Sequence, residues 1–228
     1  MAQKHAGFKS VRIRSEVSAI EGDKPTGVRF TELTLYNPKE GLLRSSALNE
    51  TGQILYSVER MLGTFSPAPA VLFGSRSVEI AQVLNKNGIP VRTENELTAM
   101  KDEDARRAAE LESLNRWNGS IAWVIGKKDA SQLWVEKESF LPLRLVLRGG
   151  ADIHLDRYRF YREYPYPRMI TVLDDGKNVL QDEVTEVSIN AESPEWKTPP
   201  GASGFTDAGN SATSAVRDLI KKYYETIR

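Results

Sequence analysis

QLWVEKESFLPLRL, residues 132–145, reads as two strands joined by a short polar turn. Leu133, Trp134 and Val135 favour extended backbone, Glu138, Ser139 and Phe140 make a short polar turn, and Leu141 and Pro142 lead into the second strand. The same texture continues on both sides. Segments 121–125, 132–137, 143–148, 153–164, 168–173 and 179–190 are all strand-like. Turns fall at Lys128 and Asp129, at Leu141 and Pro142, at Gly149 and Gly150, and at Asp174, Asp175 and Gly176. Connections this short leave neighbouring strands antiparallel, so the second half of the chain reads as one meander.

The first half has the same period. Residues 11–20 (VRIRSEVSAI) alternate through Val11 and Ile13, slip, and resume at Val17 and Ala19. Residues 28–36 (VRFTELTLY) set Val28 and Phe30 on one face and Leu33 and Leu35 on the next phase. Segments 41–48 and 53–59 flank a hairpin turn at 49–52, where Asn49 and Gly52 tolerate positive φ. Between the meanders, Pro67 and Pro69 mark a loop. Residues 77–86 then place Val78, Ile80, Ala81 and Leu84 at helical spacing, closed by Asn87 and Gly88. Residues 93–116 are strongly charged and read as a weak helix or a polar, solvated segment.

These elements predict a mainly β fold with some α (α+β). It consists of one antiparallel sheet of about ten strands, too large to stay flat, whose apolar face needs helices as cover. Three regions are expected: the sheet domain over 1–190, a Pro/Gly-rich strap over 191–210, and an amphipathic helix over 211–228. In that helix Val216, Leu219, Ile220, Tyr223 and Ile227 share a stripe.

Across 228 residues, 31 Lys and Arg balance 31 Asp and Glu. Zero net charge removes the general attraction to nucleic acid or to an anionic membrane, so neither is an expected partner beyond transient membrane contact. With no Cys there is no disulfide, thiolate metal site, catalytic Cys or lipidated Cys. No window approaches the run of about 18 apolar residues that a spanning helix needs. The opening MAQKHAGFKS lacks the apolar core of a signal peptide and meets the first strand almost at once, so an export signal is expected outside this chain.

Chemistry-bearing residues are sparse. The two His are His5 and His154. Asp152, His154 and Asp156 share one face of a strand, where a metal site or a His–Asp dyad can be imagined, but Ile153 and Leu155 on the opposite face favour the solvent side of an ordinary amphipathic strand. No phosphate-binding loop, nucleophile elbow or zinc-protease motif occurs. The run 156–168 (DRYRFYREYPYPR) interleaves Arg with Tyr and Phe. It suits either a single-strand nucleic-acid platform or a sheet with aromatics against a groove and Arg heads in water, and the charge balance favours the second.

Residues 123–147, the Tyr-Pro segment 164–168, the turn at Asp175 and Gly176 and the strand 184–190 (VTEVSIN) resemble the C-terminal half of LolA-like outer-membrane lipoprotein-sorting proteins, most specifically through QLWVEKESFLPLRL. The N-terminal half is similar in its strand order and in the helix between the meanders. The resemblance implies an open half-barrel with helices across its mouth, no enzymatic activity and no cofactor. It also implies a periplasmic carrier that shelters acyl chains of lipoproteins or lipids for transfer to the outer membrane. The alternative on the same fold is a sensor or docking module for an envelope protein partner.

By residue type and phase, the expected cavity residues are Phe30, Leu33, Leu35, Leu55, Leu72, Phe73, Ile80, Leu84, Trp123, Leu133, Trp134, Leu145, Tyr158 and Phe160, with Arg44 at the mouth to meet a head group. For each apolar residue, ordinary core packing is the competing expectation.

Overall fold

A computed structural model of the chain describes residues 8–74, 77–92, 96, 98, 112–190 and 203–228. The first meander comprises β1 (Val11–Glu21), β2 (Lys24–Asn37), β3 (Leu42–Leu48) and β4 (Ile54–Met61). Helices α1 (Pro67–Phe73) and α2 (Ser77–Lys86) follow. The second meander comprises β5 (Glu112–Trp117), β6 (Ser120–Ile125), β7 (Gln132–Glu136), β8 (Pro142–Val146), β9 (Ala151–Asp156), β10 (Arg159–Tyr161), β11 (Tyr164–Tyr166), β12 (Met169–Asp174) and β13 (Lys177–Ile189). The tail holds β14 (Gly204–Phe205), α3 (Asp207–Asn210) and α4 (Ser214–Thr226).

Twelve strands form one open sheet in the order β14-β4-β3-β2-β1-β13-β12-β9-β8-β7-β6-β5, while β10 and β11 pair separately. The two meanders join through β1 and β13, which run antiparallel from Val11 opposite Ile189 to Ala19 opposite Leu180. The long strands nearest the two ends of the chain thus meet in mid-sheet.

Local chemistry explains where these elements depart from expectation. The expected strand over 153–164 is two strands, because Arg157 turns the chain at φ 58° and Arg162 closes the β10–β11 hairpin at φ 59°. That folding-back buries Tyr164 and Tyr166 completely. The end of the charged segment, Glu112–Trp117, is an extended strand, reversed into β6 by Asn118 and Gly119, both at positive φ, as a tight hairpin demands. Residues 93–95, 97 and 99–111 of that segment lie outside the described residues, as do 191–202 of the expected strap. The expected loop at Pro67 and Pro69 is α1: proline at a first helical turn loses no hydrogen bond and presets φ. Every residue of α1 is buried.

One face of the sheet, the core face, carries a continuous apolar cluster. It includes Ile13 and Val17 of β1, Phe30 and Tyr36 of β2, Leu180 and Val184 of β13, and Leu133, Leu145, Ile153 and Ile170 farther along. Leu72 and Phe73 of α1, Leu84 of α2, and Leu219, Ile220 and Tyr223 of α4 belong to the same cluster, so all three helices pack on this face. The outer face is charged, with ion pairs Arg12–Glu186 at 3.1 Å and Arg44–Glu59 at 2.9 Å.

The tail is fastened before α4 begins. Thr206 caps α3 by accepting from the Gly209 N–H, and Thr213 caps α4 by accepting from the Val216 N–H. A Cβ on Gly209 would clash with the Leu55 carbonyl oxygen. Gly209→Ala is therefore expected to push α3 off β4, at a cost of about 1–3 kcal/mol measured by urea unfolding.

Candidate functional site

A band of polar side chains crosses the core face. Ser15, Glu32, Thr34, Ser45 and Asp182 are all buried at positions where the alternation would place apolar residues. Ser15 stands opposite Glu32, and Thr34 opposite Ser45, with the two hydroxyls of the latter pair 3.2 Å apart. Asp182 lies opposite Val17 one strand away. Two carboxylates in such a place require a counter-charge.

Arg228, just beyond α4, supplies it. Its Nε donates to Glu32 Oε1 at 2.7 Å and its Nη2 to Glu32 Oε2 at 2.6 Å, the bidentate fork that suits guanidinium to carboxylate. Nη2 also stands 3.9 Å from Asp182 Oδ2. The Arg228 side chain is 1% exposed and that of Glu32 0%. The Tyr223 hydroxyl bridges the pair, 2.5 Å from Glu32 Oε2 and 2.8 Å from Asp182 Oδ2. One O–H can donate to only one of those oxygens at a time; when Asp182 takes up a proton, its carboxyl can donate to the Tyr223 oxygen while Tyr223 donates to Glu32.

Burial first, and then the neighbouring Glu32 charge, push the Asp182 carboxyl up to about 6, against the pull of Arg228. The packed state therefore holds a proton that an exposed Asp182 gives up near its ordinary value. For an acid whose pKa is raised by packing, the packed state is favoured at low pH and loses ground as pH rises through the raised value. Docking of α4 is expected to weaken as pH rises from about 4, the ordinary carboxylate value, to about 6, and to change little above pH 7. The check is protease sensitivity of α4 across that range, with Asp182→Asn flattening the profile.

Aromatic rings surround the lock. The Arg228 guanidinium carbon is 5.3 Å from the Tyr223 ring centre and 5.7 Å from that of Phe73. Phe30 meets Tyr223 edge-on at 5.5 Å, and Phe73 lies 5.4 Å from Tyr36 and 5.7 Å from Tyr166. Ser66, at the start of α1, donates to the Arg228 carbonyl, and the Tyr164 hydroxyl donates to the Leu72 carbonyl at 3.1 Å. The ends of α1 and α4 thus meet over the core face.

The expected cavity residues divide into three groups. Phe30, Leu55, Leu72, Phe73, Leu84, Leu133 and Leu145 are buried in the core-face cluster, with Ile80 and Tyr158 packed against its margin. Trp123 stands opposite Val135 near the β5 edge of the same face, half-buried. The other residues lie elsewhere. Leu33 and Leu35 alternate with Glu32 and Thr34 and so face outward. Trp134 belongs to a separate outer cluster with Ala122 and Val124, and Phe160 is 62% exposed on the β10–β11 hairpin. Arg44 is also on the outer face, forked onto Glu59 at 2.9 and 3.0 Å. The residues that the sequence reading missed are those of the polar band and Arg228; the phase slips in β1 and β2 were their signal.

Asp152 and His154 sit on the outer face in a different role. Arg144 forks onto Asp152 at 2.7 and 2.6 Å, and its guanidinium lies about 5 Å from both the Trp117 and Trp134 rings. Burial opposes charge on Asp152, but His154 and Arg144 beside it outweigh that and hold its carboxyl down at about 2. Asp156 closes no metal-binding group with them, and no group of three or more potential ligands occurs among the described residues. Two surface grooves of about 410 and 370 Å³ meet at Gly27, Arg29 and Glu50; the first is lined mostly by polar residues, and the second adds Leu55, Ala208, Ala212 and Val216 beside α4. Among the described residues no helix is long and apolar enough to cross a membrane.

No protein-family model matches this chain, and no curated protein does. Among solved structures, the chain is similar to a LolA superfamily protein from Nitrosomonas europaea, with 8% identity, a TM-score of 0.48, and coverage of 87% of this chain and 94% of that one. It is also similar to a DUF1329 family protein from Desulfovibrio piger, with 10% identity, a TM-score of 0.42, and coverage of 85% and 91%. MucB shares 16% identity at a TM-score of 0.33, over 90% of this chain and 60% of MucB.

Proposed function

We propose that this chain is a non-enzymatic binding protein of the bacterial periplasm. On this reading it shelters the acyl chain of a lipid or lipoprotein against the core face, and its own α4 closes that site when no ligand is bound. The supporting observation is the position of α4: the side chain of Arg228, just beyond it, is buried against Glu32 in mid-sheet, on the face that holds most of the expected cavity residues. Phe30, Leu55, Phe73 and Leu145 are the proposed ligand contacts. An acyl chain gains about 0.8 kcal/mol per buried methylene. Displacing α4 takes back part of that gain, which keeps affinity low enough for release.

The chain has no Cys, so a single introduced pair can lock the site. Lys222 of α4 pairs with Asp174 of β12 at 3.1 Å, and both side chains are partly exposed, so Asp174→Cys/Lys222→Cys can be joined by a bismaleimide that ties α4 directly to the sheet. The probe is phosphatidylethanolamine with a pyrene-labelled acyl chain. The uncrosslinked variant is expected to take it up, and the crosslinked form to bind at least about tenfold more weakly. Equal uptake by both forms, or none by either, overturns the reading.

A second reading, a docking module for an envelope protein, is favoured by the same packing of the core face by the chain's own side chains. It predicts partner capture that is identical in the crosslinked and uncrosslinked forms.

A further inference from the structure

The polar band carries information about the ligand, on the basis of the binding site proposed above. We propose that the core face selects a cationic amphiphile, a ligand with one guanidinium or ammonium group on an apolar body, whose cation takes the place of Arg228 when α4 lifts. Glu32 and Asp182 are both 0% exposed and converge on a single guanidinium, at 2.6 and 3.9 Å from its Nη2. Ser15, also buried, turns its hydroxyl to the Asp182 carboxylate, so the niche is built to hold negative charge that a cation must balance.

The choice of head group follows from what the ligand covers. A neutral chain closing over the band would strip water from the carboxylates and give no counter-charge in return. An anionic head would add like-charge repulsion. A cation restores the fork that Arg228 vacates, and the ring of Phe73, 5.7 Å from the guanidinium carbon, favours a positive group over its face. That chemistry is shared by an amine-headed lipid and by an acylated peptide with a basic residue near its lipid.

The test uses the full chain and four probes below their micelle concentrations: dodecylguanidinium, dodecanoyl-arginine ethyl ester, dodecanoate and dodecyl maltoside. Binding is measured by calorimetry, and release of α4 by hydrogen exchange of residues 214–226. Both cationic probes are expected to bind at least about tenfold more tightly than the other two and to speed exchange in α4. Glu32→Gln should erase the preference; if that variant does not fold, Asp182→Asn serves. Tighter binding of dodecylguanidinium assigns a lipid-like source and tighter binding of the arginine ester an acylated peptide; either sustains the inference. Equal binding by all four with α4 released overturns it and leaves the binding site standing. Cation preference with α4 exchange unchanged also overturns it, because the cation is then elsewhere. No binding by any probe overturns the underlying reading.

Discussion

Arg228→Ala is expected to cost about 3–5 kcal/mol, because it strands two buried carboxylates and does more than delete one favourable contact. Glu32 loses both prongs of its fork, and Tyr223, with one hydroxyl hydrogen, cannot satisfy both acids. The loss should fall on α4 first, so early protease cleavage within 214–226 is the measurement. A control separates charge from packing: Arg228→Met combined with Glu32→Gln and Asp182→Asn leaves no charge to compensate, and should recover most of the stability. A single-variant cost below about 1 kcal/mol would mean that the guanidinium is solvated.

Tyr164→Ala should cost a similar amount, about 3–5 kcal/mol, for a different reason and with a different reach. Tyr164 is 0% exposed, stacks on Tyr166 at 5.9 Å and ties the β10–β11 hairpin to α1 through the Leu72 carbonyl. Truncation leaves a void where Tyr166 and α1 meet. The expected result is a lower urea midpoint for the whole molecule, with the strands of the sheet losing protection. Tyr164→Phe should retain most of the stability, losing about 1 kcal/mol for the hydrogen bond alone.

Much of this fold could be read locally. The spacing over 77–86 predicts the helix found at Ser77–Lys86, and the turn at 49–52 closes as expected, with the Gly52 N–H donating to the Asn49 carbonyl at 3.0 Å. These elements depend on near neighbours and on residues with special backbone freedom. Asn118 and Gly119 were equally readable as a tight turn, and would have placed β5 ahead of β6 as a strand.

The polar band was visible only in disguise. In β1 the positions 11, 13, 15 and 17 keep a strict period of two on the core face, so the break at Ser15 is a polar residue at a core position and not a slip. In β2, Glu32 and Thr34 hold the core face between Phe30 and Tyr36. Reading them as solvent-facing sends Leu33 and Leu35 inward, opposite to where they lie. Binary patterning assumes that buried means apolar, and the assumption fails where a distant cation makes burial of an acid tolerable. Arg228 lies 196 residues from Glu32, and no local rule links the two. The apolar stripe of α4 was legible for the same reason that its destination was not: the stripe specifies a face to bury, and tertiary packing chooses the surface.

The central claim is that α4 is a displaceable cover on a site that the remaining sheet keeps formed. Native-state hydrogen exchange of the unliganded chain tests it most directly, comparing amides of 214–226 with those of β1 and β13 as denaturant is raised through the range where the protein stays folded. The account predicts that α4 opens as its own unit, at a lower free energy and with a smaller denaturant slope, while β1 and β13 remain protected. Exchange of α4 only through global unfolding, at the same free energy and slope as β1 and β13, would contradict it.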